Sequence, residues 1–162
     1  MEKNDIIGKI LAFLDQIGLP YSMATIENET FLPGLKIDQG ALVIDIEKLT
    51  YPGDILHEAG HIALTAPQKR PHLNQEIMDA IPDTQSVEMG VILWTYLAGH
   101  AIQLPMEHIF HAGGYKGNSN WLMDLFQQKN YMGLPLLNWM GVTEPNPEGD
   151  VPKVLHWYRQ ND

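Results

Sequence analysis

Cysteine is absent from the chain, which removes disulfide scaffolds, thiolate metal sites and cysteine nucleophiles together. Any metal bound here would be held by histidine nitrogens and carboxylate oxygens. Basic side chains are scarce: 10 Lys and Arg stand against 20 Asp and Glu, for a formal charge of -10. A large phosphate-binding surface would work against that field, so nucleic acid is not expected as a direct ligand. Long apolar runs are missing too. The most apolar stretch, residues 87–102, is shorter than the ~20 residues of a membrane span and contains Glu88 and His100, so it reads as a buried helix and no membrane partner is expected. Glu2 and Asp5 occupy the place of a basic leader region, and a cytoplasmic location is the expectation.

What is present is the composition of a folded protein. With 162 residues, 44% of them hydrophobic, the chain fits a single domain able to bury its own core. Ile6, Ile7, Ile10, Leu11, Leu14 and Ile17 recur at helical spacing and Gly18 with Pro20 closes the run, which predicts an amphipathic helix over 4–17. Short β-compatible runs follow at 21–26, 34–37 and 41–46, the last two separated by Asp38-Gln39-Gly40, a hairpin signal. Tyr51-Pro52-Gly53-Asp54 opens a second helix reaching about Thr65. A proline-punctuated loop over 66–82 carries one short turn near 75–80, and Pro82 with Asp83 starts a long helix to about Leu104. Shorter helices are predicted from Pro105 to the Gly113-Gly114 pair, over 121–126 and over 134–140, and 144–149 reads as an exposed loop. The expectation is a helix-rich α+β fold with a small antiparallel sheet.

Inside the second predicted helix, His57-Glu58-Ala59-Gly60-His61 forms the H-E-x-x-H pattern. Four residues apart, the two imidazoles lie one turn above each other and can bind one tetrahedral ion together. Glu58 sits about 100° further round the axis, where its carboxylate can reach a water beside the ion without becoming a ligand, as a general base must. Ile55, Ala59 and Ile62 share the opposite face and would anchor the helix in the core. With 7 His in 162 residues, chance supplies about 0.02 such matches. The competing reading is an amphipathic helix carrying two unrelated histidines.

A catalytic zinc site takes three protein ligands and leaves a fourth position for water. Leu64 and Pro67 stand where the metzincin pattern requires Gly and His, which excludes that subclass. His72, Glu76, Asp79, Asp83, Glu88, His100, Glu107, His108 and His111 remain as candidates for the third ligand. Glu88 is the best placed, because it is the one formally charged residue of 87–102 and burying a lone carboxylate among apolar neighbours costs several kcal/mol unless it is paired, protonated or metal-bound. The alternative is a first-turn Glu favoured by the helix dipole and still partly solvated.

This combination resembles the gluzincin-type zinc metallopeptidases and, among them, is most similar to the small domain of the ImmA/IrrE family. The likeness spans roughly residues 35–105: Leu42-Val43-Ile44-Asp45 as the edge strand, His57, Glu58, Gly60 and His61, and Glu88 opening the helix that ends at Leu104-Pro105. It implies a zincin-like domain with a central H-E-x-x-H helix, Zn2+ held by His57, His61 and Glu88, Glu58 as general base, and a peptide or protein substrate.

Peptide hydrolysis also requires a donor to the developing oxyanion. His108, His111 and Tyr115 are the candidates, with Tyr131 further along and Gly113-Gly114 giving a tight approach. His100 is expected to face away from Glu88. Trp121, Trp139 and Trp157, with Met123, Met132 and Met140, are expected in the core or at an interface and not in a substrate groove. The reading is a zinc-dependent hydrolase of the peptidase class. The alternative is a non-catalytic metal-binding regulatory or protein-interaction domain, which a fourth protein ligand such as His108 would favour.

Overall fold

Helix α1 (Lys3–Ile17) buries Ile6, Ile7, Ile10, Phe13 and Leu14 along one face and stops where Gly18 turns left-handed at φ 74, the cap its sequence predicts. The computed structural model describes residues 1–80, 85–145 and 150–162, with backbone alone for 79, 80, 85 and 86.

Three strands follow, β1 (Tyr21–Met23), β2 (Leu35–Asp38) and β3 (Ala41–Ile44). The last two form the expected hairpin, turned by Gln39 and Gly40, both at positive φ (48 and 77). That two-residue turn matches the twist of the flanking strands. The first strand corrects the expected antiparallel sheet: β1 pairs parallel to β3, with Tyr21 beside Leu42 and Met23 beside Ile44. The order β1-β3-β2 also makes β3 the central strand and not the edge that the family likeness implies. The cause lies just beyond the strands. The buried Asp45 carboxylate accepts from the backbone N–H of Ile26 at 2.9 Å and from that of Lys48, while Lys48 Nζ donates to the Ile26 carbonyl. The chain leaving β1 is thereby pinned beside the end of β3. The Ile26 bond is the largest influence holding the Asp45 carboxyl below its usual range.

Helix α2 (Asp54–Ala63) packs against β2 and β3 and against α4 (Gln85–Ala101). Its Ile55, Ala59 and Ile62 are fully buried, as the sequence predicts, and each isoleucine contributes roughly 1.5–3 kcal/mol by leaving water. Two glycines permit the close approaches that place this helix. A Cβ on Gly60 would stand 3.1 Å from Trp94 Cε3 and 3.2 Å from Val91 Cγ1 of α4, and one on Gly53 would overlap the carbonyl of His108.

Helix α3 (Gln75–Ala80) stands where a short turn is expected, and α5 (Ser119–Gln127) and α6 (Leu134–Trp139) are the two short C-terminal helices. After Pro105 the chain makes a single 3-10 turn, Met106–His108, and a second one at Tyr115–Gly117. Pro82 and Asp83, the expected start of α4, lie outside the described residues, as do 146–149 of the expected exposed loop; Glu144 and Pro145 before them are exposed. The C-terminal segment is tied to the core, since the Trp94 indole donates to the Trp157 carbonyl at 2.9 Å and Phe13 meets both rings edge-on. The fold is α+β, with six helices and a three-stranded mixed sheet among the described residues. None of these helices is long and apolar enough to cross a membrane.

Candidate metal centre

The face of α2 opposite its buried isoleucines carries His57 and His61, whose ring centroids lie 5.0 Å apart at an interplanar angle of 75°. The first turn of α4 brings Glu88 against both. One carboxylate oxygen is 3.2 Å from His57 Nε2 and the other 3.6 Å from His61 Nε2. A tetrahedral ion with arms of about 2.0–2.2 Å holds its ligand atoms about 3.3–3.6 Å apart. The three side chains, with ligand atoms all within 4.8 Å of one another, therefore form a group of the right size and chemistry to hold a metal ion.

Both sequence readings of Glu88 find their counterpart here. It stands in the first turn of α4 with its side chain 30% exposed, where the helix dipole favours it, and it meets two imidazoles. Burial pushes its pKa up, but the hydrogen bond and charge of His57, with His61 and Lys116 beyond, outweigh that and leave it below the ordinary value. For His57 burial acts downward, and the hydrogen bond and charge of Glu88, aided by Glu58 and Asp54, raise the imidazole above its ordinary value.

The triad lines a cavity of about 730 Å³ that Glu58 also reaches. Glu58 is 7% exposed and is not one of the three grouped ligands. Tyr115 shares this wall, its ring edge-on to His57 at 5.5 Å and its hydroxyl buried without a hydrogen-bond partner among the described residues. Burial, with the charges of Asp54 and Glu88, pushes the phenol far above its usual pKa, so it stays a donor.

The two other oxyanion candidates lie elsewhere. His111 turns its Nε2 to Asp54 Oδ1 at 2.7 Å and stacks on Tyr51 at 3.7 Å, and His108 lies off the cavity wall with its carbonyl against Gly53. His72, Glu76, His100 and Glu107 are exposed and none joins the triad; Asp83 and the side chain of Asp79 lie outside the described residues. His100 stacks on Tyr96, away from the site as expected.

Trp121 corrects another expectation. It is not core: it lines the cavity, as does Phe31, and the two are 49% and 88% exposed. Trp139 is an exposed platform under the Arg159 guanidinium. Asp54 was within reach of sequence reasoning, because a carboxylate one turn before His57 at the start of an amphipathic helix raises the same burial question as Glu88. For Phe31, Lys116 and Trp121 no spacing signal exists.

No family model, curated protein or solved structure matches this chain.

Proposed function

We propose that the chain is a zinc-dependent hydrolase, and within that class a peptidase of the zincin type. The observation that supports this most is the joint approach of His57 and His61 to the two oxygens of Glu88, at 3.2 and 3.6 Å, beside a cavity that also reaches Glu58. Two imidazoles and one carboxylate, with no sulfur, form a donor set suited to Zn2+. Bound there, the ion would supply Lewis acidity, polarising a carbonyl and making a neighbouring water more acidic. Glu58 takes the proton from that water as it adds to the carbonyl and passes it to the departing nitrogen. Tyr115 donates its hydroxyl proton in a hydrogen bond to the carbonyl oxygen as negative charge gathers there. Leaving that hydroxyl buried and unpaired costs about 1–3 kcal/mol, so the arriving oxygen supplies an acceptor that none of the described residues provides. His111 serves a structural end, holding Asp54 at the start of α2.

The non-catalytic alternative would be favoured by a fourth protein ligand. Among the described residues His108 and His111 stand outside the triad, and the cavity gives the ligand group a side facing substrate, which supports catalysis. The test is elemental analysis of the purified protein together with cleavage of a quenched-fluorescence peptide library, with and without a chelator. Stoichiometric zinc with chelator-sensitive cleavage is expected. Stoichiometric zinc with no cleavage of any library member would replace the peptidase with a metal-binding regulatory module.

A further inference from the structure

Three of the large apolar side chains that the fold leaves exposed, Phe31, Val87 and Trp121, line the cavity that holds the metal triad. Leu32, Leu35 and Met78 continue the same surface. Exposed apolar surface gathered around a cavity marks a place where a ligand's own apolar groups are covered. Whatever covers it from within the cavity lies beside Glu58 and the triad, so the covering group belongs to the molecule that reacts. The carboxylates of Asp54, Glu58 and Glu88 line the cavity as well, in a chain with a formal charge of -10. An uncharged apolar group enters there without like-charge repulsion.

Both rings stand on backbone that hydrogen bonds hold in place. Phe31 precedes Leu32, whose carbonyl accepts from the Thr30 hydroxyl at 2.6 Å and from the Leu35 backbone N–H at 3.1 Å. Gly34, at φ 82, seats this turn where a Cβ would overlap the backbone of Leu49 and Asp45. Trp121 lies in the first turn of α5, and that turn is fastened to the site. Ser119 Oγ donates to the His111 carbonyl at 2.5 Å, and the His111 ring in turn holds Asp54 at the start of α2. A ring on a fixed support covers a ligand group at a lower ordering cost than one on a loose segment.

We propose that Phe31 and Trp121 are specificity-determining residues: together they cover a bulky apolar side chain of the substrate peptide near the bond to be cleaved. This rests on the peptidase reading and names its substrate class, an extended segment with an aromatic or long aliphatic residue beside the cleaved bond. The two rings come from different parts of the fold, one from the connection between β1 and β2 and one from α5. A side chain that reaches both is favoured over a short one, because an apolar pocket discriminates by the surface it removes from water.

The experiment compares capped peptides Ac-Ala-Ala-X-Ala-Ala-NH2 with X as Phe, Leu, Ala or Glu. Cleavage by the zinc-loaded protein is read as kcat/KM, with the cut bond located by mass spectrometry, and binding to the Glu58→Gln protein is read by calorimetry. X as Phe or Leu is expected to exceed X as Ala at least tenfold in both readouts, about 1.4 kcal/mol, with the cut beside X. Phe31→Ala and Trp121→Ala should each bring the Phe-to-Ala ratio below threefold at unchanged zinc content. A merely structural loss would lower every peptide alike and keep the ratio. A wild-type ratio under twofold, or a ratio unchanged in either variant, overturns the proposal. So does a dimer, seen by sedimentation, that dissociates in Trp121→Ala without any peptide preference, which would assign the rings to an interface between copies. If no peptide is cleaved but the calorimetric preference is present and lost in both variants, the peptidase reading fails and the apolar subsite stands; cleavage without preference leaves the peptidase and removes the subsite.

Discussion

Glu88 Oε1 stands 3.2 Å from Nε2 of His57 across the seam between α2 and α4, and the other oxygen of the same carboxylate reaches His61. A residue that joins two helices through two imidazoles sets how tightly an ion is held. Glu88→Ala should lower zinc affinity by more than the ~10–100-fold typical of losing an outer-shell partner, read by competition with a chromophoric chelator. Because the side chain is 30% exposed, the metal-free variant should keep its far-UV circular dichroism. Unchanged affinity would place the third ligand elsewhere.

Glu58 differs from Glu88 in standing outside the ligand group while lining the same cavity. Glu58→Gln preserves the shape of the side chain and removes its capacity to accept a proton. Zinc content should therefore stay at the wild-type value while kcat falls by about 10²–10⁴. Retained turnover at full zinc occupancy would assign the general base to another group.

The elements that were legible are those written in local spacing. The isoleucines of α1 repeat every three to four residues, Asp38-Gln39-Gly40 names a hairpin, and the two histidines of α2 share a face whatever the rest of the chain does. Glu88 was legible for a different reason, the cost of a lone charge on an apolar helix. The parallel pairing of Tyr21 with Leu42 was not, because it depends on how Asp45 captures the Ile26 amide after the chain has crossed from β1 to β2. That Trp121 is half-exposed and not core has no local signature, because its exposure is set by where α5 docks, and the helix periodicity that places it on one face does not say what that face meets. Tyr115 and Lys116 adopt backbone conformations that only tertiary contacts enforce, so their common position on the cavity wall has no local signature.

Gly60 lies in the helical turn between His57 and His61 and faces Trp94 and Val91 of α4. Because a Cβ there meets Trp94 at 3.1 Å and Val91 at 3.2 Å, and the Trp94 ring is fully buried, the larger Gly60→Val should force α2 and α4 apart. Overpacking of this kind costs about 1–3 kcal/mol. The expected result is a lower melting temperature and weaker zinc binding together, since His57 and His61 ride on one helix and Glu88 on the other. Gly60→Ala should act in the same direction but less, because the gain in helix propensity, about 1 kcal/mol, offsets part of the crowding. A Gly60→Val protein with unchanged melting temperature and zinc affinity would show that the seam is looser than these distances require.

The pH dependence of stability should change sign with metal. In the metal-free protein His57 is raised above its ordinary value of 6.5 by Glu88, so its contribution is fully present below that pH and is lost as pH rises through the higher folded value. Glu88 is held below its ordinary value of 4.5; its contribution is present above that pH and is lost as pH falls through the lowered one. Together they make the apo protein gain most from this pair between about pH 4.5 and 6.5. Zinc requires the imidazole nitrogen without its proton, so metal affinity rises over the interval in which the apo contribution fades. Thermal unfolding at pH 5.5 and 7.5, with zinc and with chelator, should therefore show the zinc-induced rise in melting temperature widening at the higher pH. His57→Ala should abolish the widening, and a zinc shift equal at both pH values in the wild type would remove His57 from the ligand set.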